Sequence, residues 1–163
     1  MTSGTGSKVG KWLVVAGLCQ LFENRGLKVR PFKPQNMSNN AAVARDGGEI
    51  GWAQARQSRA CRNEPLVDMN PVLLKPEADA RSQVVVGGRM SPTLTATPSR
   101  ERGQELWPAM TEAFDSLAAE HELVVLEGAG SPAEINLPDL VNNGMLAHAD
   151  AAGVLLPVPE LRD

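Results

Sequence analysis

The chain has no Tyr, three Phe, three Trp and only two Cys among its 163 residues. Cys19 and Cys61 have no second pair beside them, which excludes a disulfide framework and a Cys-based zinc site; two buried thiols in a reducing cytoplasm is the plain reading. No run of 18 apolar residues occurs, so a membrane-spanning helix is excluded. Basic residues are also in short supply. Sixteen Lys and Arg against 19 Asp and Glu leave a formal charge of −3, which provides no field for a polyanion and excludes a general nucleic-acid binder. Local anion binding stays open. The length suits one domain around a single core and is too short for two. What is plentiful is Gly, at 15, and Pro, at 12, the composition of a loop-rich fold whose backbone groups do much of the ligand contact.

Lys8 and Lys11 precede the apolar run WLVVAGLC in the order of a secretory signal, but a Gly-rich turn comes first and no small-residue cleavage site follows. Leu13, Ala16, Gly17 and Gln20 recur at helical spacing instead, so 11–23 reads as a core-packed helix stopped by Asn24 and Gly26. LKVRPF at 27–32 is a strand, ended by Pro31 and Pro34 and followed by the polar loop QNMSNN. A second helix is expected over 49–62, with its Arg residues facing water. PVLLKP and SQVVVGG suit strands or extended connections, and MSPTLTATPS at 90–99 reads as a surface loop or lid. A helix over 104–121, the strand in ELVVLEGAGS, a helical stretch near 138–149 and the strand GVLLPV complete the chain. This alternation argues for an α/β fold with a mainly parallel sheet.

GTGSKVGKW at 4–12 resembles a phosphate-binding loop, in which successive N–H groups and a helix N-terminus wrap an anion and Lys11 adds charge. The loop is one residue longer than the common form, and Trp12 stands where Ser or Thr would offer magnesium a hydroxyl. A flexible Gly-rich N-terminus fits these residues equally well. Two later segments add to the case: FKPQNMSNN follows a strand with Lys33, and EGAGSPAEIN follows a strand with Glu127. Open α/β sheets bind ligands at the carboxyl ends of their strands, where a Lys neutralises phosphate and a Glu holds magnesium. A capping or solvated carboxylate is the alternative for Glu127.

FKPQNMSNNAAV, DGGEIGWAQA, VDMNPVLLKP, SQVVVGGR and LVVLEGAGSPAEINL closely resemble, in this order, the N-terminal domain of the cobyric acid synthase family. These are glutamine-dependent amidating enzymes of the cobalamin pathway, and the likeness runs over about 4–156. Dethiobiotin synthetase is a more distant likeness. The resemblance implies a P-loop NTPase-like α/β fold, a mainly parallel sheet flanked by helices, with residues 1–163 a partial ATP-dependent synthetase domain truncated at both ends. It implies a corrinoid substrate: a peripheral carboxylate of adenosylcobyrinic acid a,c-diamide attacks the γ-phosphate of ATP, and ammonia from glutamine then displaces phosphate from the acyl phosphate. Such chemistry needs charge neutralisation and alignment more than a protein nucleophile. By likeness, Gly6, Ser7, Lys8, Val9, Gly10 and Lys11 cradle the phosphates, Lys11 and Lys33 act on the transferred group, and Glu49 and Glu127 bind Mg2+. A first-turn helix carboxylate is the alternative for Glu49. Asn36, Ser38, Asn39 and Asn40 contact substrate or shape the loop, and a run of Asx and Ser turns is their alternative.

Three departures from the family stand out. Its members carry an apolar strand before the phosphate loop, whereas MTS precedes Gly4 here, so that strand is expected to be missing. Trp12 removes the magnesium hydroxyl. The sequence ends at VLLPVPELRD, where the family continues into a glutamine amidotransferase domain, the ammonia source. Cys19 in an apolar helix and Cys61 beside Arg59 and Arg62 lack a nucleophile's context, and His121 and His148 each lack a second ligand at i+4. Little or no glutamine-dependent amidation is expected of the chain itself. The alternative is a degenerate, non-enzymatic module that binds nucleotide, corrinoid or a partner chain, and oligomerises through a sheet position left open.

Overall fold

The computed structural model describes residues 2–4, 10–77, 81–98, 101–128, 139–150 and 154–156. The chain begins with β1 (Thr2–Gly4), α1 (Lys11–Asn24), β2 (Val29–Phe32), β3 (Gln35–Met37), β4 (Ala41–Val43), β5 (Glu49–Gly51) and α2 (Trp52–Ala60). A 3-10 turn at Val67–Met69 leads to β6 (Val72–Pro76), β7 (Ser82–Val86), β8 (Arg89–Met90) and α3 (Pro92–Ala96). Then come α4 (Arg102–Glu120), β9 (Leu123–Leu126), α5 (Asp139–His148) and β10 (Val154–Leu156).

The centre of the fold is parallel. β2 pairs with β9 and β1 with β10, and a parallel bridge between Thr2 and Glu127 joins the two pairs in the order β2-β9-β1-β10. Alternation along the strands sends side chains to opposite faces. Val29 and Val125 join Val15 of α1 and the two cysteines on one side, while Phe32 and Leu126 join Leu106, Met110, Phe114 and Met145 of α4 and α5 on the other. Helices therefore cover both faces, as a parallel sheet requires. Phe32 meets Phe114 edge to face with centroids 5.5 Å apart. Each such buried apolar side chain contributes about 1.5–3 kcal/mol.

A second, mixed sheet lies beside this one. Its order is β3-β6-β7-β8, parallel between β3 and β6 and antiparallel thereafter, and β4 and β5 form a separate hairpin. The hairpin turns at Gly47, whose φ of +82° is a left-handed conformation that favours glycine. The α/β architecture is as expected, and four local expectations are corrected. Strand β1 is present, because Thr2 donates from its hydroxyl to the Leu126 carbonyl at 3.0 Å and accepts at its own carbonyl from the Gly128 N–H at 2.9 Å. QNM of the expected polar loop is strand β3, recruited by Val72–Leu74 of β6. The helix begins at Trp52, so Glu49 is a strand residue rather than a first-turn carboxylate. The segment at 90–99 contains the short helix α3, capped by the Ser91 hydroxyl, which accepts from the Leu94 N–H.

Candidate functional site

Phe32 of β2 is paired in register with Leu126 of β9, so the next residue of each strand, Lys33 and Glu127, emerges beside the other at the carboxyl end of the sheet. Lys33 Nζ donates to Glu127 Oε1 at 2.5 Å, with the side chains only 11% and 4% exposed. Gln57 of α2 donates from Nε2 to Glu127 Oε2 at 2.6 Å and to the Trp12 carbonyl at 3.1 Å. Three elements thus meet on one carboxylate. Burial removes both charges from water, so the pair holds only while both partners are present.

The main chain around the pair is fixed as well. Lys33 N–H donates to the Met69 carbonyl at 2.9 Å, and the Lys33 carbonyl accepts from Asn70 Nδ2 at 3.1 Å. Asn70 also donates to the Val72 carbonyl and accepts from the Gly51 N–H, both at 3.0 Å. Gly51 has no room for a side chain: an added Cβ would lie 2.3 Å from Asn36 Nδ2 and 2.4 Å from Gln54 Oε1. The side-chain amides of Asn36, Gln54 and Asn70 are packed against bare backbone there.

Gly10 caps α1 in the left-handed conformation, φ +78°, and Lys11 is the first helical residue, its side chain buried. The carbonyl of Gly10 accepts from Leu13 and Val14 at 3.0 and 3.3 Å, which closes the first turn. Gly6, Ser7, Lys8 and Val9 lie outside the described residues. Glu49 is ion-paired with Lys75 of β6, and this pair is separate from that of Lys33 and Glu127. Asn36 donates to Gln54 Oε1 at 3.0 Å, and the Ser38 hydroxyl accepts from the Asn40 N–H at 3.0 Å, the local turn given above as the alternative. Asn39 and Asn40, with Ala41 and Trp52, line a surface depression of about 430 Å³.

Among the described residues no three His, Cys, Asp or Glu side chains converge as a metal cluster. Magnesium bound largely by nucleotide phosphates needs only one or two carboxylates from the protein. Glu127 would offer one, and Gln57 Oε1, buried with no partner among the described residues, is a further hard oxygen on the side chain that touches it. The residues fit such an ion. Trp12, about a third exposed, adds no side-chain ligand. Cys19 and Cys61 are both buried and meet across α1 and α2; the hydrogen bond to Cys61, then burial, push the Cys19 thiol well above its ordinary range, the state of an inert thiol. His121 Nδ1 lies 2.7 Å from the Leu117 carbonyl and His148 Nε2 2.8 Å from Asp115 Oδ1, both against α4. Gln57, Asn70 and Lys75 were not foreseen from the sequence. The one available signal was the i, i+3 spacing of Gln54 and Gln57, which are buried, while Arg56 and Arg59 of the same helix are exposed.

No helix among the described residues is long and apolar enough to cross a membrane. Residues 1–154 match the family described as CbiA, the CobQ/CobB/MinD/ParA nucleotide binding domain. Cobyric acid synthase of Cereibacter sphaeroides (strain ATCC 17025) is 58% identical over 157 residues, which is 95% of this chain and 33% of that protein. The cobyric acid synthase of Rhodobacter capsulatus is 54% identical over 158 residues (96% and 33%), and that of Hyphomonas neptunium 57% over 156 residues (94% and 31%). The chain spans about a third of the length of the curated relatives it matches. Its parallel sheet, the helix entered through a left-handed glycine and the family match over nearly the whole sequence agree, and the chain belongs to the CobQ/CobB/MinD/ParA nucleotide binding domain family.

Proposed function

We propose that this chain is the ATP-binding synthetase portion of a cytoplasmic cobyric acid synthase and serves the amidation of peripheral corrinoid carboxylates through acyl phosphates. The observation that carries the reading is the buried Lys33–Glu127 pair at the carboxyl ends of adjacent parallel strands, tied by Gln57 to the first turn of α1. In this reading the N–H groups leading into α1, with Gly10 and Lys11 at their end, bind the nucleotide phosphates. Lys33 is held in place by Glu127 until a phosphate takes its charge, and it then neutralises the γ-phosphoryl group as the substrate carboxylate approaches. Glu127 is the magnesium carboxylate in preference to Glu49, since it touches the residue that grips the start of α1 while Glu49 is paired with Lys75 on the second sheet. Magnesium, when bound, supplies charge neutralisation at the phosphate oxygens. The depression lined by Asn39 and Asn40 is the face offered to the corrinoid.

Both cysteines of this stretch are buried, so neither supplies the nucleophile that glutamine hydrolysis needs, and ammonia is the nitrogen source in this reading. Calorimetric titration with ATP, in the presence and absence of Mg2+, tests the nucleotide site in the wild type and in Trp12→Ser. Saturable binding is expected with and without Mg2+, tighter with it, and Mg·ATP binding about tenfold tighter in Trp12→Ser, where a hydroxyl is supplied. No heat from either protein would remove the basis of the reading.

A further inference from the structure

Gln57 is fully buried in α2, and its amino group is used twice, on the Trp12 carbonyl and on Glu127 Oε2. Both neighbours are acceptors, so only the NH2 end can face them, and turning the carboxamide over would set three oxygens together. The other end, Oε1, is buried and has no partner among the described residues. A glutamine kept only for packing has no reason to hold one oxygen dry and unsatisfied. Without Gln57, Glu127 Oε2 would lose this donor, and among the described residues Lys33 would be the one side chain left on the carboxylate.

We propose that Gln57 is a positioning residue of the nucleotide site: it locks Glu127 against the first turn of α1, and its buried, unpartnered oxygen is an acceptor for a water of the hydrated cation that arrives with the nucleotide. The role rests on the nucleotide-binding reading above. It differs from a structural role in one respect, because it affects binding of the metal-loaded nucleotide and not of the nucleotide alone.

The test is calorimetry on the 163-residue chain with ATP, once with excess Mg2+ and once with chelator. Gln57→Met, close in size but without donors, is expected to weaken Mg·ATP about tenfold and metal-free ATP by less than about twofold. In a Glu127→Gln background the same substitution is expected to cost Mg·ATP clearly less than in the wild type, since the carboxylate it positions is gone and only the contact of its oxygen with the hydrated cation is left to lose. Gln57→Asn keeps the amide with a shorter reach and serves if the Met variant does not fold; a partial loss confined to Mg·ATP is expected. Equal losses with and without Mg2+, an undiminished effect in the Glu127→Gln background, or wild-type affinities in Gln57→Asn would overturn the role. A wild-type chain that binds neither form of ATP would instead overturn the nucleotide-binding reading itself.

Discussion

Lys33 is a lysine that the fold cannot keep without Glu127. Its ammonium is desolvated at the end of β2, and the carboxylate 2.5 Å away is its compensation. Lys33→Met should therefore destabilise the chain by about 3–5 kcal/mol, since it strands a buried carboxylate, while adding Glu127→Leu should recover most of the loss. Urea unfolding of the two variants and the wild type checks this, and a Lys33→Met chain as stable as the wild type would contradict the burial of the pair. These two residues were legible in the sequence because each directly follows a short apolar run, where a parallel sheet presents its ligand-binding edge. Gln57 and Asn70 were not legible, since their chief partners include main-chain carbonyls, of Trp12 and of Lys33, which no side-chain pattern reveals. Lys75 was hidden for another reason: Glu49 meets it only once β5 and β6 have been placed in space.

The seam between α1 and α2 includes the contact of Gln57 with the Trp12 carbonyl and a buried cluster in which Cys19 and Cys61 lie together with Val15, Val29 and Val125. The Cys19 thiol is raised above its ordinary value near 9, first by its hydrogen bond to Cys61 and then by burial. The folded chain thus keeps a proton that the unfolded chain releases above about pH 9. Stability from this group is complete below that pH and declines above it, by up to about 1.4 kcal/mol per pH unit. With no Tyr in the sequence, fewer groups titrate in the same window. Urea unfolding between pH 8 and 10 should show a steeper decline for the wild type than for Cys19→Ala; parallel declines would count against the inert, protonated thiol. At this scale α1, α2, α4, β2 and β9 could be read from composition, apolar runs and stop signals, within a few residues at their ends, but the buried face of α1 is Lys11, Val15 and Cys19 and not the Leu13, Gly17 and Gln20 of the expected spacing, which are exposed. Strand β3 could not, because three residues of Gln, Asn and Met carry no β pattern and are strand only through β6. The β4–β5 hairpin is signalled by DGG, a turn sequence directly before the stretch 49–62 expected as helix, whose first residues are strand β5.

Across the whole molecule, the order β2-β9-β1-β10 and the Gln57 bridge bring three separate stretches of chain together among the described residues: the first turn of α1, Lys33 after β2 and Glu127 after β9. The presence of β1 also removes the reason for expecting an open sheet position and association through it. Exposed apolar surface among the described residues includes Trp12, Leu13, Val14 and Leu21 on α1. The central claim is that nucleotide binds where these three stretches meet. Amide NMR during titration with Mg·ATP tests it most directly: the largest shifts are expected at Gly10, Lys11, Lys33, Gln57 and Glu127, with the α4 residues Met110 and Phe114 unmoved. Saturable shifts centred on α4, or on the Asn39–Trp52 depression with the strand ends silent, would contradict it.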